Sequence, residues 1–222
     1  MAVSSSLGVL GARPRIVIAT RSKQKLAELA ELLRPARAEL INLDDLGVEG
    51  DPVEDGETFS ANSRLKARFY ARLTGLPTIA DDSGIVVDAL GGAPGVWTRR
   101  YAGDDATDLQ NNNKLLAALA GLPPAARGAR YVCVLTFVVP DRAGPRAGLP
   151  ITAEARGTLR GRIAGGARGS GGFGYDPIFE PLGEPEAGGR TLGQQSVAEK
   201  AAISHRSRAA RRLGRRLAAL GF

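Results

Sequence analysis

The sequence predicts an α/β protein built on a mixed β-sheet. Two observations carry this. In the first half, short β-branched runs alternate with stretches of helical period, the pattern of strands joined through helices. In the second half, "ARYVCVLTFVV" and "ITAEARGTLRGRI" are the two longest strand candidates. Only the Gly- and Pro-bearing "PDRAGPRAGLP" separates them, and it reads as a hairpin loop.

Taken in order, "RIVIAT" (Arg15–Thr20) is a strand. "SKQKLAELAELLR" follows with Leu26, Leu29, Ala30 and Leu33 at helical spacing and Ser22 as N-cap. "AELINL" is a second strand candidate. "TFSANSRLKARFYARLTG" reads as a helix ending near Gly75. "PTIA" is a brief strand that delivers Asp81 and Asp82, and "IVVDAL" is a further candidate beyond Gly84. "DATDLQNNNKLLAALAG" reads as a helix despite its polar first half. The chain is helical again from about Ser196, where Ser196 and Glu199 fit a capping box. No internal repeat is visible.

Composition bounds the function. A chain of 222 residues that is 43% hydrophobic can build one large domain or two small lobes. Its one cysteine, Cys133, excludes an intramolecular disulfide, suits a reducing compartment and is expected to be buried. No run approaches the roughly 20 apolar residues of a membrane span. The first residues have no basic segment ahead of their weak apolar stretch. They are expected to form a frayed tail (1–14) before a domain spanning 15–222, and the protein is expected to be cytoplasmic. The net charge of +7 is unevenly placed: "HRSRAARRLGRR" carries six arginines and no acid, and the rest of the chain sums to +1. Conversely, "DDLGVEGDPVEDGE" (44–57) holds seven acids and no base. A cationic segment with an acidic loop is compatible with an anionic substrate and a divalent metal.

Five stretches can carry chemistry. "TRSKQK" (Thr20–Lys25) joins a strand to a helix, where open backbone N–H groups and the helix dipole favour an anion. It lacks the Walker pattern, and a solvated first turn is the simpler reading of it alone. Asp81 and Asp82 are adjacent anions that repel each other. They form either an Asx-type turn or a Mg²⁺-binding pair. "GGAPGVW" (Gly91–Trp97) fixes a backbone path. "GGFGYDPIF" (Gly171–Phe179) places Phe173 and Tyr175 either to stack on a base or to anchor a loop. "EKAAISHRSR" holds the only histidine, His205, beside Arg206. The arginines beyond Arg208 read as a solvated helix face without interleaved aromatics.

In this order, "ATRSKQKLAEL", "ETFSANSRLKA", "IADDSGIVVDALGGAPGVWTRRYAG", "GGFGYDPIF" and "EKAAISHR" resemble the inosine triphosphate pyrophosphatase family. The resemblance runs from Ile16 to the final helix. It implies a long twisted mixed sheet flanked by helices, with two lobes around a cleft, and a homodimer. The implied reaction is Mg²⁺-dependent hydrolysis of ITP, dITP and XTP to the monophosphate and pyrophosphate. It assigns Thr20, Arg21, Ser22, Lys23, Gln24 and Lys25 to the triphosphate turn, with Lys25 on the phosphates. Asp82 becomes the metal-binding carboxylate and proton acceptor, and Ser83 a substrate contact. Phe173, Gly174, Tyr175 and Asp176 enclose base and sugar, and Lys200, His205 and Arg206 complete the nucleotide contacts. Glu54 or Glu57 is expected as a second metal-side acid, with Glu54 favoured. The family commonly has Asn at the position of Ser22, Glu at Ala61 and Ala-Glu-Met at Gly193-Gln194-Gln195. These departures bear on substrate positioning and on the number of metal contacts.

On this reading Mg²⁺ relieves the repulsion between Asp81 and Asp82, and Asp81 plays a supporting role. Donors from Arg206 and His205 would accept a 6-keto purine and reject an amino group, which accounts for rejection of ATP but poorly for rejection of GTP. Two alternatives compete: a related-fold pyrophosphatase for pyrimidine or modified nucleotides, and a nucleic-acid binder using the arginine-rich helix. The second would leave Asp82 and the Gly-rich loop unexplained.

Overall fold

A computed structural model describes residues 13–33, 37–140, 150–183 and 189–222. Most of the expected N-terminal tail (1–12) and of the hairpin loop (141–149) lies outside the described residues. Six strands form one mixed sheet: β1 (Arg15–Ala19), β2 (Glu39–Asn42), β3 (Thr78–Val87), β4 (Gly128–Val138), β5 (Ala153–Ile163) and β6 (Phe179–Pro181). Their order is β2-β1-β3-β4-β5-β6. β1 is parallel to β2 and β3, and the remaining neighbours are antiparallel. The helices are α1 (Lys23–Leu33), α2 (Phe59–Thr74), α3 (Asp108–Ala118), α4 (Val197–Ile203) and α5 (His205–Ala219).

Alternation along the strands sorts the core into layers. Ile16, Ile18, Ile79, Leu135 and Phe137 pack on one face with Leu29 and Leu33 of α1 and Leu213 and Leu217 of α5. Val17, Ala19, Ala80 and Val138 meet Ala67, Tyr70 and Ala71 of α2. A third cluster joins Ile85, Val87, Tyr131 and Leu159 to Leu115 and Leu119 of α3 and to Tyr175 and Ile178.

Two expectations change. The two short strands expected around Gly84 are one ten-residue strand, β3, so Asp81 and Asp82 lie mid-strand and not in a turn. Gly84 looked like a breaker because glycine usually is one; here it marks a close approach. A Cβ at this position would lie 2.2 Å from Thr98 Oγ1 and 2.7 Å from the Gly95 carbonyl. The missing side chain admits the Gly95–Arg100 turn, and Thr98 Oγ1 accepts from the Ile85 N–H at 2.9 Å.

The single C-terminal helix is in fact two, divided at Ser204. That residue is extended (φ −60°, ψ 155°), ends α4 and caps α5, its hydroxyl accepting from the Ser207 N–H at 3.0 Å. The capping box of Ser196 and Glu199 at the start of α4 is present as read. The break directs α5 across β5 at backbone contact: a Cβ on Gly157 would stand 2.0 Å from the His205 carbonyl. His205 and Arg206 are thereby pressed onto the sheet.

The arginines of α5 are not only a solvated face. Arg208 donates to the Thr158 carbonyl at 2.7 Å, Arg212 to that of Arg156, and Arg216 to that of Glu154. Four helical residues rise about 6 Å and two strand residues about 6.8 Å, so an arginine at every fourth helical position meets every second carbonyl of the strand. Among the described residues, β6 pairs with β5 from Gly161 onward and the Leu182 N–H reaches the Arg160 carbonyl, so pairing on that side stops short of these carbonyls.

Candidate active site

The alternation of a strand answers the charge problem posed by Asp81 and Asp82. Neighbouring side chains on β3 leave opposite faces of the sheet, so each carboxylate has its own surroundings. Both are buried, at 2% and 7% exposure, so each requires a counter-ion. Asp81 faces α1 and α5 and pairs with Lys25 Nζ at 2.9 Å, with the Ser83 hydroxyl donating at 3.1 Å. Although burial opposes ionisation, Lys25, Arg206 and Lys66 together hold its carboxyl well below the usual range. Asp82 faces α2, where Lys66 Nζ stands at 3.2 Å and Asn62 Nδ2 at 3.4 Å. Its pKa is raised, chiefly by burial, against the pull of Lys66 and Lys25 and with a push from Asp81 and Glu54. Pleat and lysines thus already keep the two charges apart.

Lys66 also meets Glu54 Oε2 at 3.0 Å, so Asp82 and Glu54 converge on one ammonium. Glu57 is exposed, which leaves Glu54 as the acid of the loop beside Asp82. Among the described residues no group of three or more His, Cys, Asp or Glu side chains is placed to hold a metal. Two convergent carboxylates nonetheless fit Mg²⁺, which commonly takes one or two and completes its shell with water and phosphate.

The turn before α1 is only partly available to an anion. Ser22 caps the helix, its Oγ accepting from the Lys25 N–H at 3.3 Å, and the Thr20 hydroxyl accepts from the Ser22 N–H at 3.3 Å. Lys23 and Gln24 are exposed. Arg21, expected on the triphosphate, is instead occupied by the acidic loop through Asp44, Asp51 and two carbonyls.

A second group gathers at the other side of β3. Phe173 has Lys200 Nζ 4.4 Å and Arg206 Cζ 5.7 Å from its ring centroid. Of the two roles open to Tyr175, the structure shows the loop anchor: it is buried and its hydroxyl donates to the Thr98 carbonyl at 2.9 Å. Gly174 N–H donates to Asp108 at 2.6 Å, and its carbonyl accepts from Asn112 at 3.1 Å. Asp176 accepts from Lys200 at 2.8 Å, from the Phe173 N–H at 3.0 Å and from the Tyr131 hydroxyl at 3.2 Å. The loop leans on Gly193, where the resemblance expects alanine. A Cβ there would meet the Arg168 carbonyl and Pro177 Cα at 2.9 Å, and the Gly193 carbonyl accepts from the Gly171 N–H.

His205 lies flat against Tyr131, with centroids 4.6 Å apart and planes at 6°. Burial, with Arg206 and Lys200 nearby, pushes its pKa well below the ordinary value, so the imidazole is neutral at pH 7. A neutral ring keeps one donor and one acceptor. Arg206 is 1% exposed, pairs with Glu28, and donates to Ser83 Oγ at 3.2 Å. Its Nε is buried and has no hydrogen-bond partner among the described residues. Glu28 also holds Lys200 at 3.1 Å.

Lys66, Asn62, Glu28 and Tyr131 are the members of this constellation that sequence reasoning missed. Asn62 and Lys66 stand at i and i+4 in "NSRLK", one face of α2. That spacing was the available signal.

The fold and site define an α/β protein whose paired carboxylates, buried cations and cation-framed aromatic ring suit an anionic ligand with a planar ring. The chain belongs to the Ham1 family, whose model matches residues 16–216. It is 47% identical over 194 residues to a dITP/XTP pyrophosphatase of Syntrophobacter fumaroxidans, covering 87% of this chain and 78% of that protein. A dITP/XTP pyrophosphatase of Corynebacterium jeikeium is 40% identical over 214 residues, covering 93% and 99%. Among solved structures, a HAM1 protein from Coxiella burnetii superposes with a TM-score of 0.80 at 38% identity, covering 92% of this chain and 98% of that one. A nucleoside-triphosphatase or dITP/XTP pyrophosphatase from Mycobacterium abscessus gives 0.71 at 39% identity, covering 90% and 98%.

One expected result follows for Lys66. The Asp82 carboxyl is raised by burial and lowered by Lys66, so Lys66→Met removes the opposing influence and raises it further. A base that must be ionised then needs a higher pH to work. The acid limb of kcat/KM is expected to move upward in the variant, as a pH–rate profile would read. An unmoved limb with lower rates throughout would mean that Asp82 is not the titrating base.

Proposed function

We propose that the chain hydrolyses ITP, dITP and XTP to the nucleoside monophosphate and pyrophosphate, with Mg²⁺ as cofactor. The observation that carries this reading is Asp82, a buried carboxylate of raised pKa that shares the Lys66 ammonium with Glu54. Names of relatives such as dITP/XTP pyrophosphatase support the substrate class.

Water attacks the α-phosphorus. The new bond forms from the water oxygen, the bond to the bridging oxygen of pyrophosphate breaks, and the proton passes to Asp82. A carboxylate raised toward the working pH is a better acceptor than an ordinary one. Asp82 and Glu54 would hold Mg²⁺, which when bound supplies neutralising charge to the phosphates. Lys23 and the N-terminal turn of α1 meet the phosphate tail. Phe173 stacks on the purine, worth about 1–3 kcal/mol. The unpartnered Nε of Arg206 is a donor in reserve for a 6-keto oxygen. An amino group at that position would leave it unpaired, at a cost of about 1–3 kcal/mol.

The same reading includes a homodimer at work in the cytoplasm. No helix among the described residues is long and apolar enough to cross a membrane. Light scattering would test the oligomer.

The deciding assay follows products from ITP, dITP, XTP, ATP and GTP with and without Mg²⁺. Equal amounts of monophosphate and pyrophosphate from the first three, only with Mg²⁺, are expected. Diphosphate and orthophosphate as primary products would place attack at the γ-phosphorus and overturn the proposal.

A further inference from the structure

Arg21 stands in the turn whose position and charge suit phosphate, yet its guanidinium is taken up by the acidic loop. Nε donates to Asp51 Oδ1 at 3.2 Å, and Nη1 to Asp44 Oδ1 at 3.2 Å. Nη2 donates to the carbonyls of Val48 at 2.7 Å and Gly50 at 3.1 Å. Asp51 Oδ1 also accepts from the hydroxyl of Tyr70, a side chain of α2 that is almost wholly buried. Further along, the Gly56 N–H donates to Asn62 Oδ1 at 2.8 Å, again on α2. The loop is thus fastened to the α1 turn by Arg21 and to α2 by Tyr70 and Asn62. Glu54 lies between the last two fastenings, opposite Lys66.

The ion pairs alone would not make this a device. The Asp44 and Asp51 side chains are 80% and 62% exposed, and exposed pairs contribute little. The fork onto two carbonyls is different. Only a guanidinium presents donors at fixed angles to four acceptors, and an ammonium on a flexible stem cannot reproduce it.

We infer that Arg21 is a positioning residue: it is not a phosphate ligand but a latch that fixes the acidic loop so that Glu54 stays against Lys66 and Asp82. The kinetic consequence rests on the proposed hydrolase function; the structural consequence does not. Neither Lys23 nor Lys25 can replace it, since Lys25 is held by Asp81 and an ammonium lacks the fork.

Arg21→Lys and Arg21→Ala separate the two roles. For a latch both variants behave alike, because both lose the fork. The Mg²⁺ concentration giving half-maximal ITP turnover is expected to rise about 3–10-fold, while KM for ITP at saturating Mg²⁺ stays within about twofold. Amide hydrogen exchange across residues 44–56, measured without nucleotide or metal, should quicken about tenfold in both variants, with α2 unchanged. Tyr70→Phe frees the same loop from the other side and should quicken the same amides. If Arg21 binds phosphate instead, Arg21→Lys retains affinity, Arg21→Ala raises KM at saturating Mg²⁺, and exchange in the loop stays as in the parent. That pattern overturns the inference. Since the exchange measurement needs no turnover, an inactive parent protein would remove the proposed function and leave the latch decided by its own data.

Discussion

Asp82→Asn is expected to lower kcat for ITP by about 10²–10⁴-fold, the range of a lost general base. The amide keeps the shape of the side chain but can neither accept the proton nor contribute charge to a metal. The fold should not suffer. Because burial raises the Asp82 carboxyl, its charge is held less favourably in the folded chain than in the unfolded one. Replacing it with a neutral group relieves that cost, and Lys66 keeps Glu54 as partner. The variant should therefore melt at the parent's temperature or slightly above it while being nearly inactive. A fall of several degrees in Tm, or activity within tenfold of the parent, would deny Asp82 this role.

Asp81→Asn should do the reverse and fail in stability first. Its carboxylate is buried against Lys25 and lies in the fields of Arg206 and Lys66. Breaking a buried pair costs about 3–5 kcal/mol. Lys25 retains some access to water, which places the loss near about 3 kcal/mol. For a chain of this size that is roughly 6–12 °C in Tm. The pH dependence has a definite sign. The folded pKa of Asp81 is depressed, so its contribution is fully present above the unfolded carboxylate value of about 3.9 and is lost as pH falls below it. Melting curves of parent and variant should lie apart at pH 7 and converge in acid below about pH 4. Equal losses of kcat at both aspartates, with unchanged melting, would erase the division between them.

Much of this site was legible in the sequence. The two aspartates, the capped start of α1, and the residues around Phe173, Lys200 and Arg206 stand in short runs whose chemistry shows without coordinates. What stayed hidden depends on partners distant in the chain. Lys66 lies in a helix with Arg64 and Arg68 close by, so by composition it is one more surface charge. Only the proximity of α2 to β3 and to the acidic loop turns it toward Asp82 and Glu54. Gly84 reads as a break until the turn that crosses it is known. Arg21 stands among residues that suggest a phosphate, and the acceptors its guanidinium meets in the structure come from residues 44 to 51. The break at Ser204 is the same kind of miss: a serine within a helical run is ordinary, and its extended backbone is set by the descent of α5 onto Gly157.

The arginine ladder on α5 has a consequence for association. The exposed margin of a sheet offers outward carbonyls to any extended chain that meets it, which is how sheets recruit strands and aggregate. Along Glu154 to Thr158 those carbonyls already hold guanidinium groups. An incoming strand would have to displace three side chains and place its own backbone beside a row of positive charge. The concentration of arginine that suggests a nucleic-acid surface in the linear sequence acts in the folded chain as a seal against self-templated growth.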